Sequence, residues 1–265
     1  MAGAVTLYQL LVQTSGIPDY SENPEADKAK AVARTPAEMV ALIGRLTPAL
    51  QFAPGTRWAY SNANYVLLGL IAERVGGRPL AELYRTRLFA PAGLAATAFD
   101  DPADVVAHRA QGYRRARDAS SGFRNAAWIS PTMPGAAGAL RGTAADLVRW
   151  NAALFGGRIL KPRSLKQMTV PGRLGDGRTT KFGMPEAWQK GLDSDYGMGV
   201  FVKATRGGTR IGHRGDIDGF ATWTAHYPQS GTTVVMMINS QSADLPIDEI
   251  EAAVFASSGK PCLEG

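Results

Sequence analysis

The segment Tyr60-Ser61-Asn62 carries polar side chains of the kinds that perform acyl transfer, at the point where a Pro-Gly turn leads into a strongly apolar segment. A tyrosine close to a cation can act as a general base despite its reference pKa of about 10. An asparagine two residues later can donate a hydrogen bond to a substrate amide. Considered alone, the segment fits a helix cap after a core tyrosine better than it fits a catalytic site.

A second segment of this kind is His213-Arg214-Gly215, predicted at the end of a strand and followed by a turn from Asp216 to Gly219. Gly215 would let a substrate approach the backbone, and the next amide, the N–H of Asp216, would serve an oxyanion. A strand-end turn with a hydrogen-bonded histidine explains the same residues without any catalytic role. In isolation, that structural interpretation is again the favoured one.

Helices are predicted for the first 190 residues from caps and from apolar side chains at helical spacing. Thr35 and Glu38 form a capping-box pair, and Gly76-Gly77 ends the segment that follows Ser61. That segment, up to Val75, is nearly all apolar, which predicts a helix buried on most sides. Residues 98–135 are predicted to be irregular. The predicted helices cover residues 6–13, 36–46, 61–75, 80–89, 143–155, 162–168 and, near the end of the chain, 246–255.

Strand patterns dominate after residue 190. They predict strands at residues 196–203, 209–213, 220–227 and 232–239, arranged as an antiparallel meander. This segregation indicates an α+β fold in which helices flank an antiparallel sheet. The chain is accordingly divided into a mostly helical part, 1–190, and a part with the strands and the last helix, 191–265, of one domain.

The run from Thr232 to Ile238 is apolar on both faces, as a central strand is. The sequence supplies a neighbour for it on one side only. A strand is therefore expected to be missing, or to come from another chain. Self-association through the unpaired sheet edge is one expected outcome, because such edges pair readily with other strands.

The composition argues against several classes of protein. The 265 residues carry a net charge of +6 from scattered arginines, without a basic stripe interleaved with aromatic residues, so no nucleic-acid partner is predicted. No apolar run approaches the ~20 residues of a membrane span, and no signal peptide is visible. Cys262 is the single cysteine, so neither an internal disulfide nor a zinc site is predicted, and no cofactor is expected. The compartment is left undetermined.

Several short motifs occur in a specific order along most of the chain. They are Thr14-Ser15-Gly16-Ile17, Pro54-Gly55 leading to Tyr60-Ser61-Asn62, Gly138-Ala139-Leu140 with Thr143 to Leu147, and Gly212-His213-Arg214-Gly215. In this order and spacing they resemble the motifs of the serine β-lactamase-related superfamily. The branch that they resemble is that of class C β-lactamases, DD-carboxypeptidases and β-lactamase-like esterases.

The resemblance implies an acyl-transfer site between a helical region and an antiparallel sheet. Such enzymes use a Ser-x-x-Lys nucleophile, a Tyr-x-Asn element and a Lys-Thr-Gly-like strand. Tyr60 and Asn62 match the second element, and His213 and Gly215 match the third, with histidine in place of lysine. That departure resembles the peptidase and esterase branches. The resemblance implies proton transfer by Tyr60, and it implies that Asn62 and His213 hold the amide and carboxylate of a small-molecule or peptide substrate with an amide or ester bond.

The nucleophile is the element that the sequence does not supply. Ser15 has no lysine three residues later and no nucleophile-elbow pattern, so it is interpreted as structural. Only Ser257 has such a lysine, Lys260, and this pair follows Tyr60 and His213 in the wrong order, so it is interpreted as coincidence.

Two interpretations stay open. One is an N-terminally truncated serine hydrolase, which lacks its first strands and its nucleophile helix and has little activity by itself. The other is a non-catalytic relative that binds a ligand or acts as a scaffold.

Overall fold

A computed structural model of the protein describes residues 5–186, 193–205, 208–241 and 245–257. Its helices precede most of its strands. They are α1 (Leu7–Leu11), α2 (Pro24–Lys28), α3 (Pro36–Gly44), α4 (Asn62–Gly76), α5 (Leu80–Tyr84), a π-helical turn (Arg85–Phe89), α6 (Ala90–Ala92), α7 (Ala144–Phe155), α8 (Pro162–Thr169) and α9 (Ile247–Ser257). None of these described helices has the length and apolar character that crossing a membrane requires.

The strands of the described residues form three sheets. They are β1 (Ala98–Phe99), β2 (Tyr113–Arg115), β3 (Phe123–Asn125), β4 (Leu140–Arg141), β5 (Asp195–Tyr196), β6 (Phe201–Thr205), β7 (Gly208–Ile217), β8 (Phe220–Tyr227), β9 (Thr232–Ile238) and β10 (Ser240–Gln241). The largest sheet is an antiparallel meander in the order β5-β6-β7-β8-β9. β1 pairs with β4, and β2 lies between antiparallel β3 and parallel β10. The predicted α+β fold, with helices and an antiparallel sheet, is confirmed.

Successive side chains of a strand point to opposite faces, so β8 has side chains on both faces of the meander. A helix packs against each face. On one face Trp223 and Tyr227 of β8 belong to a buried apolar cluster with Phe255 of α9. On the other face Thr224 Oγ1 accepts a hydrogen bond of 3.0 Å from Asn151 Nδ2 of α7. His226 stacks on Phe155 of α7 with ring centroids 4.0 Å apart.

β9 lies at the edge of the meander. Its residues pair with β8 from Thr232↔Tyr227 to Ile238↔Ala221, and among the described residues no strand pairs with its other side. Met237 is 43% exposed there. The predicted one-sided pairing of this apolar run is thus confirmed, whereas self-association through the edge stays a prediction.

The helical part has its own core around α3 and α4. Met39 and Ile43 of α3 pack with Ala63 and Val66 of α4 in a buried cluster. Tyr20 extends into the same cluster and donates a hydrogen bond to the carbonyl oxygen of Met133 at 2.5 Å. α4 itself is less buried than predicted: its far end is open, and Val75 is 83% exposed. The burial prediction holds for residues 61–70, which are buried or half-buried, and is wrong for the last turns, where Ile71 and Val75 are exposed because nothing in the described residues packs over them.

Three strand predictions need correction. The strand predicted to end at His213 continues to Ile217 as β7, because β8 pairs with it as far as Ile217↔Phe220. The strand predicted over residues 196–203 is two strands, β5 and β6, which are joined by a tight turn through Gly199. Residues 98–135, predicted to be irregular, contain β1, β2 and β3.

Some sequence-based predictions fall on residues outside the described ranges. The boundary at residues 190 and 191, Cys262, and Lys260 of the Ser257–Lys260 pair all lie there. The division into parts 1–190 and 191–265 therefore stays a prediction.

Candidate active site

The turn Thr14-Ser15-Gly16 positions the chain segment that leads to Tyr60. The amide of Gly55 donates to the carbonyl of Thr14 at 2.8 Å, and the amide of Gln51 donates to that of Gly16 at 2.8 Å. Gly16 has φ +81°, and a Cβ there would lie 2.3 Å from the carbonyl oxygen of Phe52, so only glycine fits. The turn therefore aligns the Pro54-Gly55 loop with the start of α4.

Gln13 accepts hydrogen bonds from the residues immediately before and after Tyr60. Its backbone carbonyl accepts a hydrogen bond of 3.1 Å from the amide of Ala59, and its side-chain Oε1 accepts one of 3.1 Å from the amide of Ser61. Asn64 Nδ2 donates to the same Oε1 at 2.5 Å. Gln13 is fully buried and has φ +63°, an uncommon value for a residue with a side chain. These bonds fix the backbone on both sides of Tyr60.

Ser15 is part of this framework. Its hydroxyl donates to Asn64 Oδ1 at 2.6 Å and accepts a hydrogen bond of 3.0 Å from the amide of Ile17. The side chain is 1% exposed. These contacts agree with its interpretation as a structural residue.

An aromatic cluster brings Tyr60 and His213 together. Their ring centroids lie 6.0 Å apart, although 153 positions separate them in the sequence (213 minus 60). Tyr196 of β5 stands edge-on to Tyr60, with centroids 6.4 Å apart, and Trp58 lies 5.7 Å from Tyr196. Phe201 of β6 lies 5.2 Å from His213. The strands β5 to β7 and the segment before α4 thus form two walls of one site.

The charge that acts on Tyr60 is negative. Burial, and then the carboxylate of Asp19, raise the pKa of Tyr60 to about 12. The cation assumed for a tyrosine general base is therefore not what shifts this pKa, and the neutral phenol is the favoured form. The role of Tyr60 in proton transfer stays a prediction.

Asn62, the first residue of α4, lies beside the same carboxylate. Its Nδ2 donates to Asp19 Oδ2 at 2.8 Å and to Ser21 Oγ at 3.4 Å. Both N–H groups of the amide are thus used within the chain, and Oδ1 is the atom left for a ligand. The predicted donation to a substrate amide would first have to break the contact with Asp19, and the substrate role of Asn62 stays a prediction.

His213 lies on the face of β7 that carries Thr224 on the neighbouring strand, since the two residues are directly paired. Nδ1 of its ring is 2.5 Å from the carbonyl oxygen of Arg214, and Nε2 is 3.4 Å from the hydroxyl of Tyr196. Burial lowers the pKa of His213, and the Arg214 carbonyl offsets part of this effect. The position of His213 across from Tyr60 agrees with a site between the helical region and the sheet, which the resemblance implies.

Beyond His213, β7 has a paired strand on one side only in the described residues. β6 pairs with β7 from Thr205↔Gly208 to Phe201↔Gly212, whereas β8 pairs with it as far as Ile217. The stretch from His213 to Asp216 therefore presents backbone groups along an edge, as the predicted roles of Gly215 and of the Asp216 amide require. The Asp216 side chain forms an ion pair with Arg214. A Cβ at Gly215 would lie 2.5 Å from Thr222 Oγ1, so cross-strand packing also favours glycine here.

The described residues hold no group of three or more histidine, cysteine, aspartate or glutamate side chains that could bind a metal ion. The site thus consists of the buried phenol of Tyr60, the imidazole of His213 and the β7 edge beyond His213, which no described strand pairs with on its second side. These groups can exchange protons and form hydrogen bonds with a substrate.

The family model for Beta-lactamase matches residues 2–256 of this sequence. This chain belongs to the Beta-lactamase family. Among curated members, it is 26% identical to Penicillin-binding protein 4* of Bacillus subtilis over 89% of this chain and 52% of the relative. It is also 26% identical to a D-aminopeptidase of Cereibacter sphaeroides over 90% of this chain and 43% of the relative. The chain thus spans about half the length of these members of the family.

A solved structure shares the fold of this Beta-lactamase family chain. It is a D-stereospecific amidohydrolase from Streptomyces, with a TM-score of 0.77 and 26% sequence identity over 94% of this chain and 72% of that one. The predicted resemblance to the β-lactamase-related superfamily is therefore confirmed.

Three residues that shape the site were not predicted from the sequence: Gln13, Asp19 and Tyr196. Gln13 gave no signal, because its positive φ and its long-range bonds have no sequence pattern. Asp19 has no local sequence pattern that links it to Tyr60. Tyr196 is the first residue of a predicted strand, although the Gly-Met-Gly sequence that follows it marks the β5–β6 turn.

Proposed function

We propose that this chain carries the proton-transfer and substrate-binding side of a serine-hydrolase site that cleaves amide or ester bonds through an acyl-enzyme. The observation that carries the proposal is the meeting of Tyr60 with His213 beside the free edge of β7. Membership of the Beta-lactamase family and likeness to a D-stereospecific amidohydrolase support amides as the first substrates to test.

In this proposal a serine hydroxyl attacks the substrate carbonyl, and the oxyanion that forms lies along the β7 edge near the Asp216 amide. The proton of the serine passes through Tyr60 to the leaving amine or alcohol. Since the pKa of Tyr60 is raised to about 12, a nearby ammonium group must stabilise the phenolate form before Tyr60 can accept the proton of the serine. The Oδ1 of Asn62 is an acceptor suited to hold such a group.

The serine and the ammonium group are proposed to come from chain outside the 265 residues, since the sequence has no Ser-x-x-Lys other than Ser257 to Lys260. Without them, a site keeps only its binding and oxyanion contributions. We therefore expect these residues to hydrolyse amides and esters slowly or not at all by themselves.

A second candidate is a non-catalytic relative that binds a ligand or acts as a scaffold. The observation that favours it is the same lack of a correctly placed Ser-x-x-Lys. The reading frame upstream of Met1 distinguishes the two functions. A Ser-x-x-Lys in frame there supports the hydrolase and contradicts the scaffold.

The biochemical test is labelling with a fluorescent penicillin or fluorophosphonate. The 265-residue chain is expected to remain unlabelled, and a chain extended upstream to include Ser-x-x-Lys is expected to be labelled. A Tyr60→Phe change in the extended chain should reduce the rate of labelling, whereas Tyr113→Phe, at an exposed tyrosine, should not. Labelling of any serine within the 265 residues would refute this account of the site.

A further inference from the structure

A short hairpin outside the candidate active site carries a large share of the positive charge of the chain. Residues 112–126, here called the arginine hairpin, contain β2, β3 and the turn between them, with four arginines and one aspartate. Their net charge is +3 (four minus one), which is half of the +6 of the whole chain. All six residues of β2 and β3 are exposed. The hairpin therefore presents its charge to solvent on both of its faces.

The base of the arginine hairpin is fixed to the rest of the protein, whereas its tip projects. At the base, the amide of Ala126 donates to the carbonyl of Gly112 at 3.0 Å. Gly112 packs so closely on the turn after β7 that a Cβ there would lie 2.9 Å from the Cα of Gly219. The neighbouring strand β10 accompanies β2 only as far as Arg114. Residues 115–123 thus extend beyond the last strand that pairs with the hairpin.

The arginines of the hairpin lie close together and are poorly neutralised within the chain. Arg114 is paired directly with Arg124 across β2 and β3, a position in which like charges destabilise a sheet. Arg124 forms an ion pair of 2.9 Å with Asp118, but both side chains are more than half exposed, so water screens the pair. Among the residues that the structure describes, Arg114, Arg115 and Arg117 form no ion pair. An anion from outside the chain that bridges Arg114 and Arg124 would relieve their repulsion.

An exposed aromatic ring accompanies these charges near the tip. Phe123 is paired with Arg115 across the two strands and is 43% exposed. Aromatic rings are enriched at the interface between membrane and water, where arginines reach the phosphates of anionic lipids. A soluble polyanion would use the arginines but would leave the ring of Phe123 in water. A membrane surface fits both features of the hairpin.

We infer that the arginine hairpin docks tip first onto the anionic phospholipid surface of a membrane, with its guanidinium groups on lipid phosphates and the ring of Phe123 among the headgroups. This interaction goes beyond the proposed function and does not depend on it. Because the base of the hairpin packs on the turn after β7, docking would also fix the orientation of the candidate active site relative to the membrane.

The first test is co-sedimentation of the 265-residue chain with vesicles of two compositions. One is phosphatidylcholine alone, and the other is equal parts of phosphatidylcholine and phosphatidylglycerol. We expect binding to the anionic vesicles only, and an affinity that falls as the salt concentration rises from about 0.1 M to about 0.5 M, because salt screens the attraction. Equal binding to both compositions, or no binding to the anionic vesicles, would overturn the inference.

The second test removes charge at the hairpin and elsewhere. Arg114→Gln combined with Arg124→Gln should weaken binding to the anionic vesicles at least about tenfold. Arg85→Gln combined with Arg87→Gln removes the same charge from two exposed arginines of the π-helical turn and should change the affinity less than about twofold. Equal losses in the two double variants would assign binding to the net charge of the chain and overturn the inference.

The third test concerns the ring. Phe123→Ser should weaken binding to the anionic vesicles about threefold or more, since less apolar area is buried among the headgroups. Phe182→Ser, at a ring that is 65% exposed outside the hairpin, should leave the affinity unchanged. An unchanged affinity of Phe123→Ser would mean attraction by charge alone and overturn docking to a membrane. Binding of a single-stranded oligonucleotide without binding of the vesicles would assign the hairpin to a nucleic acid and overturn it as well.

The outcomes do not depend on the integrity of the core or on catalysis. All substituted side chains are exposed, so each variant should fold, which circular dichroism and a cooperative thermal transition verify. A failure of the vesicle tests leaves the labelling test of the proposed function as it is, and a failure of labelling leaves the vesicle tests as they are.

Discussion

Gln13 combines a backbone conformation that side chains rarely adopt with a carboxamide that holds Ser61 and Asn64. Such a conformation costs on the order of 1–3 kcal/mol and persists where the surroundings over-determine it. Here the surroundings are the two hydrogen bonds that flank Tyr60. The strained residue Gln13 therefore helps to hold the side chain of Tyr60 in position.

Gln13→Ala should destabilise the fold by about 2 kcal/mol, because it leaves the amide of Ser61 and the Nδ2 of Asn64 buried without their acceptor. The measurement is the free energy of unfolding in urea. Gln51→Ala makes the same change at an exposed glutamine and should cost less than about 0.5 kcal/mol. Equal effects of the two changes would contradict the role assigned to Gln13.

Asp19→Asn should lower the pKa of Tyr60 from about 12, because it removes the nearby negative charge and leaves burial as the main cause of the shift. The pKa is measured by ultraviolet titration, as the difference between each chain and the same chain with Tyr60→Phe. Asp118→Asn, on the exposed β2–β3 hairpin, serves as the control. A pKa of Tyr60 unchanged by Asp19→Asn would refute this electrostatic coupling.

The same raised pKa predicts a pH dependence of stability. The pKa of about 12 in the folded state exceeds the unfolded value of about 10, so folding favours the neutral phenol. This contribution is complete below pH 10 and is lost as the pH rises through 12. Between pH 8 and pH 11, the unfolding free energy should therefore fall more steeply for the unchanged protein than for Tyr60→Phe. Parallel losses in the two chains would contradict this linkage.

At the scale of elements, the sequence predicted what local patterns encode. The capping box at Thr35 and Glu38, the alternating residues of β8 and the apolar run of β9 are local signals, and each is borne out by the structure. The sequence predicted too short a strand for β7. Residues Arg214 to Ile217 carry no strand pattern of their own, and pairing with β8 makes them extended. The Gln13 and Tyr196 contacts were missed because they join segments far apart in the chain. Tyr60 and His213 could be predicted to share one site because the order of motifs resembles that of a known superfamily, whose fold brings these segments together.

The α9 helix is fastened to the meander by one buried carboxylate. Glu251 Oε1 accepts a hydrogen bond of 3.0 Å from Trp223 Nε1, and Oε2 pairs with Arg210 at 3.0 Å. Glu251→Ala should lower the free energy of unfolding by about 3 kcal/mol, because it leaves a buried indole N–H without its acceptor and leaves Arg210 with only its exposed partner Asp248. Glu249→Ala, at an exposed position of the same helix, should have little effect. Comparable losses at both positions would contradict this role of Glu251.

At the scale of the whole molecule, the described chain packs a helix against each face of the meander and has an open edge at β9. The two curated relatives described above are about twice as long as this chain. For the 265-residue chain we predict that the edge pairs with a second copy. An antiparallel pairing centred on Val235 would place Val234 opposite Met236 and extend the sheet across two molecules.

Met237→Lys should therefore shift the chain toward monomer, because a charge at this exposed edge position opposes pairing with another strand. The measurement is the mass in solution by light scattering over a range of concentrations. Val75→Lys adds the same charge at an exposed apolar position on α4, far from the edge, and should leave the mass unchanged. A monomeric unchanged protein with a cooperative thermal transition would contradict edge pairing.

The parallel pairing of β10 with β2 has a consequence for synthesis of the chain on the ribosome. Ser240 lies opposite Tyr113, 127 residues earlier (240 minus 113). At 5–20 residues per second, β2 waits roughly 6–25 s for this neighbour. Throughout that interval the edge of β2 that later pairs with β10, including the exposed ring of Tyr113, is open to other nascent chains. The nearby side chains of Arg114, Arg115 and Arg117 give this edge a positive charge, which opposes premature pairing with a second copy.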